Sequence, residues 1–352
     1  MNPKISICLP TYNRAMSLKE TLNRLLIQTY QDYEIIIGND ASEDNTREII
    51  RSFKDDRIKY HEHKRNIGIY PNWNYLVHLA KGEYVSIYHD HDIYLPNILK
   101  RSVDILERNR NIVFIHSAFV LINKDRNPLN VFVEEFAEIT PGMEFKKYFL
   151  MSSKNTICAA TVMARRDAYE KVGKFNTIYG LGCDKEMWFR LASLGDVGYI
   201  NEPQALILGR SKGDATEKFV MDDFRGSYNL LHEGLKSLYP IKSRQYRQGL
   251  IKLRWEYESG VLRHIFKAIA CEDLPNIKNR VEAFSGYCKP ITKALMKAFV
   301  NCRIIRFIIE KAARHYHSKQ LIKRQLNAAL YCRRSKELYK YIVWPHVDSF
   351  RR

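Results

Sequence analysis

The feature that most constrains this chain is an alternation of short strand-like runs with helix-like segments along its first half. β-Branched and other apolar residues fill each run, and apolar residues at three- and four-residue steps follow it. The runs and the segments after them are 5–9 and 17–28, 33–38 and 43–53, and 84–88 and 96–107. This βαβ rhythm predicts an α/β fold with a mostly parallel sheet flanked by helices.

The same signals continue to about residue 215 and then change. Residues 112–119, 159–163 and 198–200 have strand-like composition, and 184–194 have helical spacing. Beyond 216 the strand signal fades and prolines separate helix-like stretches. We therefore expect an α/β domain over 1–215 and a helical C-terminal region over 216–352.

A capping box predicts where the first helix begins. Ser17 and Glu20 have the required three-residue spacing and precede the apolar positions Leu22, Leu25 and Leu26. The pattern predicts a helix start at Ser17.

Positive charge is concentrated at the end of the chain. Residues 245–352 contain 23 Lys and Arg against 8 Asp and Glu, a net +15 of the +18 carried by the whole chain. Within them, 291–316 have apolar residues at helical spacing with basic residues largely elsewhere, which predicts a basic amphipathic helix. Nucleic acid, anionic lipid or an acidic partner would all suit such a tail. No zinc-finger spacing or aromatic RNA-binding strand accompanies it, so we expect no nucleic-acid binding.

Cysteine usage and hydropathy indicate the cellular compartment in which the protein resides. Seven scattered cysteines without a CxxC pair disfavour a disulfide framework or a zinc cluster. Neither a secretory leader nor an uninterrupted apolar stretch of about eighteen residues is visible in the sequence. These features predict a cytoplasmic protein.

Polar and acidic residues directly follow three of the predicted strands, at 10–14, 39–44 and 89–92. Ligands of open parallel sheets bind outside the carboxyl ends of the strands. The first turn contains no glycine, which disfavours both a dinucleotide site and a nucleotidyltransferase. Asp90 and Asp92 would repel a diphosphate unless a divalent ion lay between them, and carboxylate oxygens suit Mg²⁺ or Mn²⁺.

Together, residues 5–14, 39–42, 65–68 and 90–92 resemble family 2 glycosyltransferases of the GT-A fold, with matching order and spacing. The resemblance covers about 3–210. It implies a GT-A domain that binds a nucleotide-sugar donor, with a UDP-sugar expected. The donor-binding residues implied are Pro10, Thr11, Tyr12, Asn13, Arg14, Asp40, Arg65, Asn66, Asp90, His91 and Arg210.

For the metal, the resemblance implies Mn²⁺ or Mg²⁺ on Asp92 and Asp90. Many family members carry a DxDD motif, so His89 and His91 stand here where carboxylates often do. Both histidines could instead only shape the loop. Asp40 could likewise only cap a helix starting near Glu43.

On the acceptor side, the family has an acidic residue before a tryptophan-containing helix. Aligning Trp188 makes Asp184 the catalytic base, with Glu186 as the next candidate if Asp184 only caps the helix. Trp188 itself is expected in the core. A family histidine after the last strand is absent from 206–214, and Arg210 or Lys212 could neutralise the diphosphate instead.

The resemblance therefore implies an inverting, metal-assisted glycosyltransferase that acts on a saccharide or lipid-linked acceptor. Bacterial surface-polysaccharide assembly is the expected setting. The basic tail is expected to bind the inner face of the cell membrane, to pack on the α/β domain, or to do both. The alternatives are a catalytically degenerate GT-A fold that only binds, or a basic nucleic-acid-binding protein.

Overall fold

The computed structural model of the chain describes residues 2–151, 157–209 and 220–253, together with a few between 320 and 331. The predicted basic helix at 291–316 and most of the basic tail lie outside these residues.

Strands and helices alternate as the sequence predicts. The strands are β1 Ile5–Thr11, β2 Tyr33–Asn39, β3 Ile58–Glu62, β4 Tyr84–Ile87, β5 Ile93–Tyr94, β6 Ile112–Ile122, β7 Pro128–Phe132, β8 Ile139–Thr140, β9 Met163–Arg165 and β10 Asp196–Leu208. The α-helices are α1 Ala15–Leu26, α2 Thr46–Ser52, α3 Ile69–Leu79, α4 Ile98–Arg108, α5 Gly142–Met151, α6 Arg166–Val172, α7 Cys183–Leu191 and α8 Val220–Leu238. Short 3₁₀ helices span Ala159–Thr161 and Thr177–Gly182.

One sheet, ordered β3-β2-β1-β4-β9-β6-β10-β5, organises the domain. Strands β3, β2, β1 and β4 are mutually parallel, whereas β9 runs antiparallel between β4 and β6. Thr11, Asn39 and Ile87 therefore end their strands on one side, called the carboxyl edge here. The opposite side, where Ile5, Tyr33 and Tyr84 begin their strands, is the amino edge.

Alternating residues of the central strands pack into two hydrophobic cores, one on each face of the sheet. Ile7 and Leu9 of β1 pack with Leu18 and Leu22 of α1, whereas Cys8 between them lies in the core on the other face. All of these side chains are fully buried. Because side chains alternate along a strand, an apolar run buried on both faces is typical of a parallel sheet covered by helices.

The predicted start of α1 is wrong. The helix begins at Ala15, so Ser17 lies inside its first turn, and the N-cap position Arg14 makes no side-chain capping bond. Instead, the carboxylate of Asp44 accepts a hydrogen bond from the backbone N–H of Ala15 at 3.0 Å. A residue of the next loop thus supplies the cap, which a local pattern cannot anticipate.

The strand predicted at 159–163 is also wrong. Ala159–Thr161 form a 3₁₀ turn and β9 starts only at Met163. The hydroxyl of Thr161 donates to the carbonyl of Cys158 at 2.9 Å, which stabilises the turn. This turn lets the chain enter the sheet antiparallel to β4 and β6.

The first part of the C-terminal region packs on the α/β domain. Leu230, Leu235 and Tyr246 belong to the same hydrophobic cluster as Phe149 and Trp188. A further helix covers 244–253. Among the described residues, no helix is long and apolar enough to cross a membrane.

Candidate active site

The loops that follow β1 and β2 are joined at the carboxyl edge. The N–H of Asn13 donates to Oγ of Ser42 at 2.9 Å, and the N–H of Glu43 donates to Oδ1 of Asn13 at 2.8 Å. Both loops contain a left-handed residue, Asn13 with φ 52° and Ala41 with φ 60°. Such conformations are sparsely populated by non-glycine residues and cluster at functional sites.

The predicted donor residues at the end of β1 meet Asp90. Thr11 donates its hydroxyl proton to Oδ2 of Asp90 at 2.7 Å, and Nε of Arg14 lies 3.8 Å from Oδ1. Pro10 is half-buried in the strand, whereas Tyr12 exposes 44% of its surface at the edge. Thr11 and Asp90, which are 79 residues apart in the sequence, thus meet at the carboxyl edge.

Asp40 does not cap the helix after β2. Its two carboxylate oxygens accept the backbone N–H groups of Ile67 and Gly68 at 2.7 and 2.9 Å. It therefore holds the loop before α3, while α2 begins only at Thr46. The alternative assignment as a cap near Glu43 is wrong, because a distant loop offers two amides at once.

That loop also carries the predicted residues Arg65 and Asn66, which are exposed. Oδ1 of Asn66 accepts the N–H of Gly68 at 3.1 Å. Gly68 has φ 91°, which favours glycine at this position. Asp40 thus fixes the backbone directly after Arg65 and Asn66.

The loop after β4 pairs carboxylates with imidazoles. Nδ1 of His91 lies 2.9 Å from Oδ1 of Asp90. Burial lowers the pKa of His91, but the hydrogen bond to Asp90 and the charges of Asp92 and Asp90 outweigh burial, so the pKa is raised above its ordinary value.

Asp92 is buried with its side chain directed into the protein. Oδ1 accepts the N–H of Leu208 in β10 at 2.8 Å, and Oδ2 lies 3.0 Å from Nδ1 of His89. The backbone carbonyl of Asp92 accepts the hydroxyl of Thr21 in α1 at 3.0 Å. The loop is therefore tied to both a helix and a strand.

One group in the described part of the chain has the donor atoms for a metal ion. His89, His91 and Asp92 each offer a ligand atom, and these atoms lie within 4.8 Å of one another. Asp90, which the sequence predicts as a second metal ligand, directs its oxygens to Thr11 and His91. The structure thus adds His89, whose alternation with His91 in the His-Asp-His-Asp sequence was the available signal.

An aromatic chain links this loop to α7. The ring of Trp73 stacks on His89 with centroids 6.1 Å apart, and Phe175 forms T-shaped contacts with both Trp73 and Trp188. Trp188 is 1% exposed, which confirms the core position predicted for it. Trp73 was not among the predicted residues, because its role depends on packing.

The two candidate bases of α7 differ in environment. Asp184 lies in the first turn, half-exposed, and accepts the N–H of Lys185 at 2.7 Å. Glu186 is buried and receives two charge-assisted hydrogen bonds from Arg190, at 2.6 and 2.8 Å. Arg190 therefore engages both oxygens of Glu186. Arg210 lies outside the described residues.

Comparison with known proteins identifies a family segment. Residues 6–173 match the sequence profile described as Glycosyl transferase family 2. An uncharacterized glycosyltransferase of Rickettsia conorii is 30% identical over 199 residues, which are 55% of this chain and 32% of that protein. The chain thus spans about a third of that relative's length. The Escherichia coli protein WfgD, named a UDP-Glc:α-D-GlcNAc-diphosphoundecaprenol β-1,3-glucosyltransferase, is 29% identical over 121 residues, 34% of this chain and 47% of WfgD.

Solved structures share the fold. Residues 1–349 of TarS from S. aureus, in a complex with UDP-GlcNAc, superpose with a TM-score of 0.57 at 14% identity, covering 90% of this chain and 92% of that one. The mannosyltransferase PcManGT of Pyrobaculum calidifontis, in a complex with GDP-Man and Mn²⁺, gives 0.51 at 15% identity and covers 92% and 88%. At such identities the likeness concerns the fold, which confirms the predicted GT-A architecture.

Proposed function

We propose that this chain, whose residues 6–173 match glycosyl transferase family 2, transfers a sugar from a nucleotide-sugar donor to an acceptor hydroxyl. The observation that carries the proposal is the convergence at the carboxyl edge. There Thr11, Asp90 and His91 are joined by hydrogen bonds, and Asp92 lies 3.9 Å from Nε2 of His91, beside the loop that Asp40 fixes.

The donor would bind across the loops after β1, β2 and β4. In this proposal Thr11 and Asp40 hold the base and ribose, and Arg65 lies near them. A UDP-sugar is the expected donor, supported by the UDP-GlcNAc complex of TarS and the UDP-Glc named for WfgD. Because the neighbour PcManGT contains GDP-Man, the base must be tested directly.

The ligand atoms available at the carboxyl edge fit a divalent ion. Two imidazole nitrogens and a carboxylate oxygen within 4.8 Å are recognised ligands. We assign Asp92, His89 and His91 to hold the ion, either Mn²⁺ or Mg²⁺, with Asp90 supporting His91 through its carboxylate. When bound, such an ion neutralises charge on the departing diphosphate.

Asp184 is the proposed general base. The acceptor oxygen attacks the anomeric carbon, Asp184 takes the hydroxyl proton, and the bond from that carbon to the diphosphate oxygen breaks on the opposite face. The configuration therefore inverts. A helix N-terminus favours the ionised carboxylate that this role requires. Glu186 is a poorer candidate because Arg190 already engages both of its oxygens.

The acceptor is proposed to be a saccharide or a lipid-linked sugar of bacterial surface-polysaccharide assembly. The name of WfgD, which includes a diphosphoundecaprenol-linked acceptor, supports this class. The net +15 of residues 245–352 would attract an anionic leaflet, since each basic residue contributes roughly 1 kcal/mol there. Binding of the full chain to vesicles with and without anionic lipid tests this peripheral location; equal binding to both would contradict it.

A donor panel tests the activity. The full chain is incubated with UDP-, GDP- and dTDP-sugars and short saccharide acceptors in Mn²⁺, Mg²⁺ or a chelator, and the anomeric configuration of any product is read by NMR. We expect one donor to be used, only with a metal, and with inversion. Failure of the folded chain with every donor would contradict transferase activity and leave a GT-A fold that serves another purpose.

A further inference from the structure

The loop between β4 and β5 carries an unusual ligand chemistry for a site that faces a diphosphate. Two of its three clustered donor residues are histidines, His89 and His91. Carboxylates suit Mg²⁺, which dehydrates reluctantly and prefers oxygen, whereas imidazole suits first-row transition ions. The mixture of imidazole and carboxylate ligands in this loop therefore determines which ion the site prefers. The use of the ion in sugar transfer rests on the proposed function, whereas binding of the ion itself needs no nucleotide-sugar donor.

His91 has the arrangement expected of a metal ligand. Its Nδ1 lies 2.9 Å from Oδ1 of Asp90, so this nitrogen is occupied by a carboxylate. The other nitrogen, Nε2, lies 3.9 Å from Oδ1 of Asp92. Metal-bound histidines usually donate their second N–H to a carboxylate, which fixes the tautomer and orients the ring. Asp90 therefore serves as the positioning residue for His91.

His89 reaches the same carboxylate from the other side. Its Nδ1 lies 3.0 Å from Oδ2 of Asp92. The rings of His89 and His91 are nearly parallel, 11° apart with centroids 5.5 Å apart, and Trp73 stacks on His89. Packing thus holds both imidazoles beside Asp92 before any ion arrives, which limits the reorganisation that binding requires.

The burial of Asp92 also supports its assignment as a metal ligand. The Asp92 side chain is fully buried, whereas the side chains of His89 and His91 are 22% and 23% exposed. A buried carboxylate needs a compensating partner. The groups beside this buried carboxylate are therefore two imidazoles that are partly exposed to solvent.

We propose that His89, His91 and Asp92 form a site that takes a first-row divalent transition ion, such as Mn²⁺ or Co²⁺, in preference to Mg²⁺. The two imidazoles set this preference, and Asp90 orients one of them.

Cobalt provides a readout that is independent of catalysis. The full chain, freed of metal with a chelator, is titrated with Co²⁺ and its visible absorption is recorded without nucleotide. We expect a saturable spectrum with nitrogen ligation that a roughly hundredfold excess of Mg²⁺ does not remove and that Zn²⁺, which imidazole also suits, does. Removal of the spectrum by Mg²⁺ at that excess would overturn the preference.

Variants identify the ligands. The double variant His89→Asn/His91→Asn should weaken Co²⁺ binding by roughly tenfold or more and change the spectrum. The matched control His61→Asn/His78→Asn removes two imidazoles from β3 and α3 and should leave the titration unchanged. An unaltered spectrum in the first double variant would refute the assignment.

A substitution with the opposite effect keeps the proposal testable if the double variant does not fold. His91→Asp replaces one imidazole with a carboxylate and should raise the affinity for Mg²⁺ relative to Co²⁺ by roughly tenfold. An unchanged affinity ratio in this variant, with its thermal unfolding intact, would contradict the proposal. Because no nucleotide is present, a normal cobalt titration combined with failure of every donor would count against the proposed function alone.

Discussion

The two edges of the sheet both bury a carboxylate, but they use it differently. At the amino edge, Glu34 accepts the hydroxyl of Ser6 at 2.6 Å and the backbone N–H of Lys81 at 3.1 Å. At the carboxyl edge, Asp92 accepts one backbone N–H, from Leu208, and otherwise faces His89 and His91. Glu34 thus joins fixed parts of the scaffold, whereas Asp92 faces groups that can bind a ligand.

Backbone conformation reinforces this difference. The carboxyl edge contains two left-handed non-glycine residues, Asn13 and Ala41. The amino edge is instead tied by ion pairs, with Nζ of Lys4 at 2.6 Å from Glu83 and 2.5 Å from Glu107. Burial alone therefore does not mark a candidate functional carboxylate, whereas the chemistry of its partners and strain in the nearby backbone do so.

The largest expected effect comes from exchanging carboxylates on α7. Asp184→Asn should lower the transfer rate by about 10²–10⁴-fold with little change in donor affinity, because a general base contributes about that much. Glu186→Gln is the matched control, since it weakens the ion pair with Arg190 and should mainly lower thermal stability. Steady-state kinetics with donor binding measures both, and equal rate losses in two folded variants would contradict the assignment.

A change at the amino edge should act on stability instead. Glu34→Gln leaves Ser6 and the N–H of Lys81 with a poorer acceptor, so the free energy of unfolding should fall by roughly 1–3 kcal/mol. Donor affinity should stay the same. Urea denaturation followed by donor titration measures both quantities. Weaker donor binding in the folded variant would contradict a purely structural role for Glu34.

A histidine away from both edges should make the stability of the fold depend on pH. His116 lies in an aromatic environment of Phe114, Phe136, Phe145 and Tyr199, and neither ring nitrogen has a partner among the described residues. Burial lowers its pKa to about 3. The unfolded chain, with an ordinary pKa of about 6.5, therefore binds a proton that the folded chain does not as the pH falls below 6.5.

Between pH 7 and pH 5 this difference should lower the free energy of unfolding by about 2 kcal/mol. Chemical denaturation of wild type and His116→Leu at both pH values measures the effect, and the variant should lose that part of the pH dependence. An identical pH dependence in both proteins would show that His116 does not contribute it.

The smallest expected effect concerns backbone strain at the carboxyl edge. Ala41→Gly should raise the free energy of unfolding by about 0.5–1 kcal/mol, because glycine adopts φ 60° without a steric penalty. The control Ala80→Gly, at φ −62°, should lower it by a similar amount. Thermal unfolding measures both, and destabilisation by Ala41→Gly would contradict the presence of strain.

Much of the fold was predictable because the signals are local. The apolar runs place β1, β2 and β4 within two residues of their observed ends, since strands buried on both faces leave a continuous hydrophobic pattern. The loops after these strands followed from the same pattern. The rule that ligands of open parallel sheets bind outside the carboxyl ends of the strands then predicted their convergence at one edge.

The errors have a common physical origin in contacts between distant segments. Asp44 caps α1 from another loop, which displaced the predicted start at Ser17. Asp40 binds the amides before α3 and not a helix next to it in sequence. The inclusion of His89 beside Asp92 likewise depends on side-chain directions that sequence spacing does not reveal.

The most direct test of the account is donor binding at the carboxyl edge. Calorimetric titration of UDP- and GDP-sugars, with Mn²⁺ or with a chelator, is compared for wild type, Asp92→Asn and Glu34→Gln. We expect saturable, metal-dependent binding of one donor that weakens by about tenfold or more in Asp92→Asn and is unchanged in Glu34→Gln. Equal affinities in wild type and folded Asp92→Asn, or no donor bound by the folded wild type, would contradict it.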